Sequence, residues 1–299
     1  MRVRLFGSAI AAVVTAALVL LLAPHLAGQE SARGWNPPRT TDGQPDIQGF
    51  WTEEVGGPEA VNVETAMQTA ESLRISGWTE ERLKARKAIS SIVDPPDGKI
   101  PYQPWAEARR QQILRRYGGD NITEKIQALR DVSPELVCII GTPRSVFFAD
   151  FQILQAPGVV VMAWERSGEY RIVPLNSKAP RLPDSIKLHM GDARGRWEGN
   201  TLVVETSNLN PGQKAHYGIK QRFYLPPTGK VTERFTRVSE KEVLYQFTVE
   251  DTAAYTQPWK GEVPLVSTQD MIYEYACHEG NYALPGILAG AREQEKKAK

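Results

Sequence analysis

The sequence predicts a mainly β protein: an antiparallel meander forming a barrel-like or sandwich domain, with an N-terminal helical segment ahead of it. Three observations carry this. From about Ser145 onward, apolar and polar residues alternate in short runs. The runs are separated by tight-turn pairs, Pro157-Gly158, Ser167-Gly168 and Gly199-Asn200. Helical start and stop signals, by contrast, are concentrated in residues 61–135.

Taken in order, residues 1–28 read as an export signal. Arg2 and Arg4 form a basic head, Leu5 to Ala23 carry no charge, and Pro24, Ala27 and Gly28 form a small-residue exit. The apolar run also approaches the length of a retained membrane anchor, so cleavage and retention are both open. Residues 29–60 form an extended lead-in rich in proline and glycine, with an apolar anchor at Ile47, Phe50 and Trp51. In 61–135, Thr79 followed by Glu80 and Glu81 marks one helix start, and Pro104 marks another that runs to Tyr117 before Gly118-Gly119. Ile122, Ile126 and Leu129 recur at helical spacing. Residues 136–284 make the β-rich domain, and 285–299 a short C-terminal helix.

The predicted strands are Phe151 to Leu154, Val159 to Trp164, Tyr170 to Leu175, Arg196 to Glu198, Thr201 to Thr206, Gln221 to Leu225, Lys230 to Val238, Glu242 to Glu250, Glu262 to Val266 and Met271 to Ala276. Counting in twos sorts their faces. Glu165 falls in phase with Val159, Val161 and Ala163; Glu205 with Val203; Glu233 with Val231 and Phe235; Glu274 with Ile272 and Ala276; Arg171 with Val173 and Leu175. Charged groups on faces that are otherwise apolar need partners, because an unpaired buried charge is costly. They line a polar lumen, or they sit at strand ends and in structural ion pairs.

Composition narrows the functional classes. The formal charge is +1 for the whole chain, and −1 once Arg2 and Arg4 leave with the signal. No basic block is present, so neither nucleic acid nor an anionic membrane surface is expected as partner, and no stable membrane insertion is expected after signal cleavage. Two cysteines, Cys138 and Cys277, are expected to pair in an oxidising compartment, periplasmic or extracellular. Such a bridge closes about 140 residues and is worth about 4–5 kcal/mol by loop-closure entropy. No metal site is expected: there is no C-x-x-C, and His189, His216 and His278 have no second ligand at metal spacing. No phosphate loop and no G-x-S-x-G occur, so no cofactor and no serine nucleophile are implied. His278 and Glu279, beside Cys277, are the one local acid–base pair. Trp259, after Pro258 and near Tyr255, is the candidate for a partly exposed ligand wall.

Three stretches carry a resemblance: Pro38 to Trp51 (PRTTDGQPDIQGFW), Gly195 to Thr206 (GRWEGNTLVVET) and Tyr273 to Tyr282 (YEYACHEGNY). They resemble a large family of uncharacterised exported bacterial proteins, abundant in soil bacteria. The resemblance implies export and a single domain across nearly the whole mature chain. It implies no reaction and no catalytic residue.

The functional expectation is an exported β-barrel-like protein that binds a small or medium organic ligand in its lumen. Glu165, Arg171, Glu205, Glu233 and Glu274 are the candidate polar contacts, with Trp259 as a wall. Two alternatives stand beside it: a hydrolase or lyase of plant-derived or carbohydrate substrates using Glu/His acid–base chemistry, and a structural envelope protein.

Overall fold

A computed structural model describes residues 35–53, 64, 92–117, 150–165, 168–209 and 225–297. Eight of the ten expected runs become strands. In chain order the strands are β1 (Gly49–Glu53), β2 (Ile92–Asp94), β3 (Phe151–Ala156), β4 (Val159–Trp164), β5 (Tyr170–Pro174), β6 (Asp192–Glu198), β7 (Thr201–Ser207), β8 (Lys230–Ser239), β9 (Glu242–Glu250) and β10 (Trp259–Ser267). Helix α1 (Pro104–Tyr117) precedes β3, and helix α2 (Ala283–Lys297) follows the last strand. All ten strands join one sheet in the order β5-β4-β3-β1-β10-β9-β8-β7-β6, with β2 pairing β10 off that path. Every pairing along the path is antiparallel.

The two ends of this path, β5 and β6, come back together. Leu175 forms a parallel bridge with Gly195, and the Asn176 amide donates to the Gly195 carbonyl at 2.8 Å. The result is a nearly closed barrel with one short parallel seam. The approach is close: a Cβ on Gly195 would lie 2.7 Å from Leu175 Cδ2 and 2.8 Å from Val173 Cγ1, so glycine lets the edges meet.

The register assigns the faces. Val231, Glu233 and Phe235 of β8 point inward, as do Val243, Tyr245, Phe247 and Val249 of β9 and Trp259, Val263 and Leu265 of β10. Leu202, Val204 and Thr206 of β7, Val160, Met162 and Trp164 of β4, and Arg171 and Val173 of β5 complete the interior. An aromatic chain runs through it: Phe235 to Tyr245 at 4.9 Å between ring centroids, Tyr245 to Phe247 at 5.7 Å, Phe247 to Trp259 at 5.6 Å and Trp259 to Tyr255 at 6.0 Å. Burying each such large side chain contributes about 1.5–3 kcal/mol.

Both ends of the barrel are covered. At the end where Pro174, Thr201 and Glu242 lie, the lead-in closes the opening. The Ile47 side chain is fully buried, its amide donates to Gln155 Oε1 at 2.7 Å, and Trp51 Nε1 donates to its carbonyl at 3.0 Å. Arg237 donates to the Asp46 carbonyl, and Arg39 to Asn200 Oδ1 at 2.8 Å. At the opposite end, the segment leading into α1 packs on the turn between β9 and β10. Gln103 N bonds the Ala254 carbonyl, Thr256 N bonds the Pro101 carbonyl, and Trp105 Nε1 donates to the Ala253 carbonyl at 2.7 Å. Ile100 and Ala106 join the core there.

Several expectations need correction. The lead-in is not merely extended: β1 lies between β3 and β10, and β2 adds a strand from the stretch expected to be helical. The β-rich sheet therefore does not begin at residue 136. Within 61–135, the helix expected from Pro104 to Tyr117 is present; those at Thr79 and at Ile122–Leu129 lie outside the described residues, as do residues 221–224 and residues 1–28. Met271 to Ala276 is not a strand. No strand among the described residues pairs with it, and its Tyr273 amide is instead held by the Glu165 carboxylate at 3.1 Å. β10 begins at Trp259, three residues ahead of the expected Glu262.

Candidate functional site

The charged group that goes deepest is Arg171. Alternation on β5 turns it inward with Val173. Because β5 is one edge of the seam, the side chain reaches past β6, the other edge, to β7 and β8. Its Nη2 donates to Glu233 Oε2 of β8 at 2.5 Å and to Thr206 Oγ1 of β7. Tyr245 of β9 donates its hydroxyl to Glu233 Oε1 at 3.1 Å. Both ends of the ion pair are sealed from solvent, with side chains 1% exposed. Four strands thus contribute one polar group each to a cluster inside an otherwise apolar interior.

The cluster is incompletely satisfied. Glu233 has a donor on each oxygen, whereas Arg171 Nε and Nη1 are buried with no hydrogen-bond partner among the described residues. Buried donors are rarely left that way, because the lost hydration costs about 1–3 kcal/mol or more. Tyr245 and Thr206 were not singled out from sequence. Their signal was phase: Tyr245 alternates with Val243 and Phe247, and Thr206 with Leu202 and Val204.

The other expected contacts lie elsewhere. Glu165 stands just past β4, half-buried, on the Tyr273 amide. Its supposed companions Val159, Val161 and Ala163 are the outward residues of β4; Val160, Met162 and Trp164 point in. Glu205 faces outward, in a row with Arg181 at 3.2 Å and Arg196 at 2.8 Å. That row continues through Glu198, which pairs Arg196 and Arg234, each at 2.8 Å. The hydrogen bond from Arg196 holds the Glu205 carboxyl below its ordinary pKa, and that from Arg234 does the same for Glu198. Arg196 is raised in turn, mainly by its bond to Glu205. Glu274 is exposed in the irregular segment after β10. Trp259 is not a partly exposed wall: it is fully buried, because β10 starts early enough to place it in phase with the inward Val263 and Leu265.

The acid–base candidates are not assembled. His278 and Glu279 are exposed, and their side chains form no hydrogen bond among the described residues. A histidine–carboxylate pair that sequence did not suggest does form: His189 Nε2 lies 2.8 Å from Glu169 Oε1, where the β4–β5 turn meets the segment leading into β6. The histidine is exposed, whereas the Glu169 side chain is mostly buried. Near the α1 cap, Arg110 is buried against Glu64 at 3.1 Å and Glu107 at 3.4 Å. Burial opposes its charge, but Tyr102 and the two carboxylates outweigh that and raise its pKa. Cys277 is not a free thiol; Cys138 lies outside the described residues.

Among the described residues no three His, Cys, Asp or Glu side chains gather in a way that holds a metal ion, and no helix is long and apolar enough to cross a membrane. Set against protein-family models, curated proteins and solved structures, the chain gives no match, so the site is read from its geometry alone.

Proposed function

We propose that the protein is an exported binding protein that takes a small organic ligand into the barrel interior, at the Arg171–Glu233 cluster. The observation that supports it is the pair of unpartnered buried donors, Arg171 Nε and Nη1. A ligand site with apolar walls and a few fixed polar groups has this composition. Phe235, Tyr245 and Phe247 supply the wall, and the fixed polar group is held by Glu233 and Thr206. Because both barrel ends are covered, the ligand is small, and the seam between β5 and β6 is the thinnest part of the wall: a single bridge joins those strands among the described residues.

A panel of small organic compounds, screened by thermal shift on the full mature chain, tests the reading. At least one compound is expected to raise Tm for the native protein and not for the paired variant Arg171→Met/Glu233→Met. A high-resolution crystal structure with Arg171 Nε and Nη1 bonded only to ordered water, together with no hit in the panel, would favour the structural envelope reading instead.

The reading includes export through residues 1–28, a periplasmic or secreted location and a Cys138–Cys277 disulfide. Free-thiol labelling of denatured, unreduced protein is expected to find no reactive cysteine. Two labelled thiols per chain would remove the bridge.

A further inference from the structure

Resting on that reading, we infer that the ligand atom received at Arg171 is a neutral hydrogen-bond acceptor, such as a ketone, ester or amide carbonyl oxygen, and not an anion. Charge points to this first. Arg171 is the residue that would ordinarily suggest a carboxylate or phosphate ligand. Here its charge is already matched: Glu233 Oε2 lies 2.5 Å from Nη2, with both side chains 1% exposed. The pair is neutral as a unit. An anionic ligand would bring a second negative charge into the same sealed space, within reach of Glu233, with no further cation to meet it. Uncompensated charge in an apolar interior is among the most costly arrangements a protein can hold.

Hydrogen-bond capacity points the same way. Both Glu233 oxygens already receive donors, from Arg171 and from the Tyr245 hydroxyl. The Thr206 oxygen accepts from Arg171 and keeps its own hydrogen to give. The groups left over are Arg171 Nε–H and the Nη1 hydrogens. What remains is donors, and a donor set asks for an acceptor. Nε and Nη1 also lie on different edges of the planar guanidinium, so the paired fork that fits a carboxylate side-on is not what is left; its Nη2 member is spent on Glu233 and Thr206. A carbonyl oxygen with an apolar or aromatic remainder, set against Phe235, Tyr245 and Phe247, accepts from Nε–H, and a water or a second neutral acceptor takes Nη1.

The test compares three probes of one size on the full mature chain: acetophenone, benzoate and benzylamine. The Arg171 Nε–H signal is followed by ¹H–¹⁵N NMR, with its assignment taken from Arg171→Met. If that variant fails to fold, selective loss of the signal in Arg171→Lys assigns it. Acetophenone is expected to move the signal downfield in a saturable manner. Benzoate is expected to bind at least about tenfold more weakly, and benzylamine to leave the signal unmoved. Arg171→Met/Glu233→Met should lose the acetophenone response. Benzoate binding as tightly as acetophenone with the Arg171 signal shifted would overturn the neutral-acceptor inference and leave interior binding standing. Acetophenone binding that survives in the paired variant would place the site elsewhere, and no response of the Arg171 signal to any probe would overturn interior binding itself.

Discussion

At the scale of single residues, the Arg171–Glu233 pair dominates. Removing one member strands the other in an apolar interior. Arg171→Met is expected to destabilise the protein by about 3–5 kcal/mol, while Arg171→Met/Glu233→Met recovers most of that loss. Urea melts of the wild type, both single variants and the double variant measure the coupling, and a double variant no more stable than either single one would deny it. A second position is set by shape alone. A Cβ on Gly261 would run into the Phe247 ring, and that ring is itself buried between Tyr245 and Trp259. Gly261→Ala is therefore expected to cost about 1–3 kcal/mol through overpacking, read as a lower urea midpoint. Phase counting finds Glu233 because β8 has one clearly apolar face, and finds Arg171 through its phase with Val173, although Tyr170 and Ile172 make the outer face of β5 apolar too. It misplaces Glu165, because β4 is apolar on both faces and counting in twos then has nothing to choose between. It misplaces Glu205 for a related reason: Val203 faces outward yet is fully buried, so an apolar neighbour does not mark the interior.

At the scale of elements, the outer faces of β6, β7 and β8 carry the row Glu205–Arg196–Glu198–Arg234, which Arg181 joins from the segment before β6. Glu198 and Glu205 have folded-state pKa values below the ordinary 4.5. Their contribution is thus present above that value and is lost as pH falls through the lowered ones. The side chains are partly exposed, so each pair is worth well under about 1 kcal/mol. Glu205→Gln is expected to lower Tm slightly at pH 7 and at low salt, and to leave it unchanged near pH 2; an equal loss at both pH values would mean the carboxylate charge is not what counts. Element type was largely legible. β4 and β9 span the expected residues, and α1 starts at its proline. Met271 to Ala276 misled because alternation reports a chain that is able to extend, and only a neighbouring strand turns extension into a sheet.

At the scale of the whole molecule, the covering of the barrel brings distant stretches together. Arg39 of the lead-in meets Asn200 of the β6–β7 turn, so both lie at one barrel end. Nothing in the local pattern of residues hints at this, because the contact spans 161 positions. The sheet itself was visible; the membership of β1 was not, since prolines and glycines around a five-residue strand read as a linker. Its position makes a firm prediction. Deleting residues 29–53 removes a strand hydrogen-bonded on both sides, together with the buried Ile47 and Trp51. The shortened chain is expected to lose its cooperative thermal transition in near-ultraviolet circular dichroism. A retained cooperative melt would mean that β3 and β10 hold the sheet without it.

The place of β1 also sets the order in which the molecule can be completed. It is synthesised well before one of its two neighbours, β10. With about 200 residues between them, elongation at about 5–20 residues per second leaves β1 waiting on the order of 10–40 s before that partner exists. Pairings so far apart in sequence are also slow to form once both strands are present. The chain therefore carries a built-in delay: β1 stays unpaired on one side until β10 arrives, and the barrel is the last thing the chain completes.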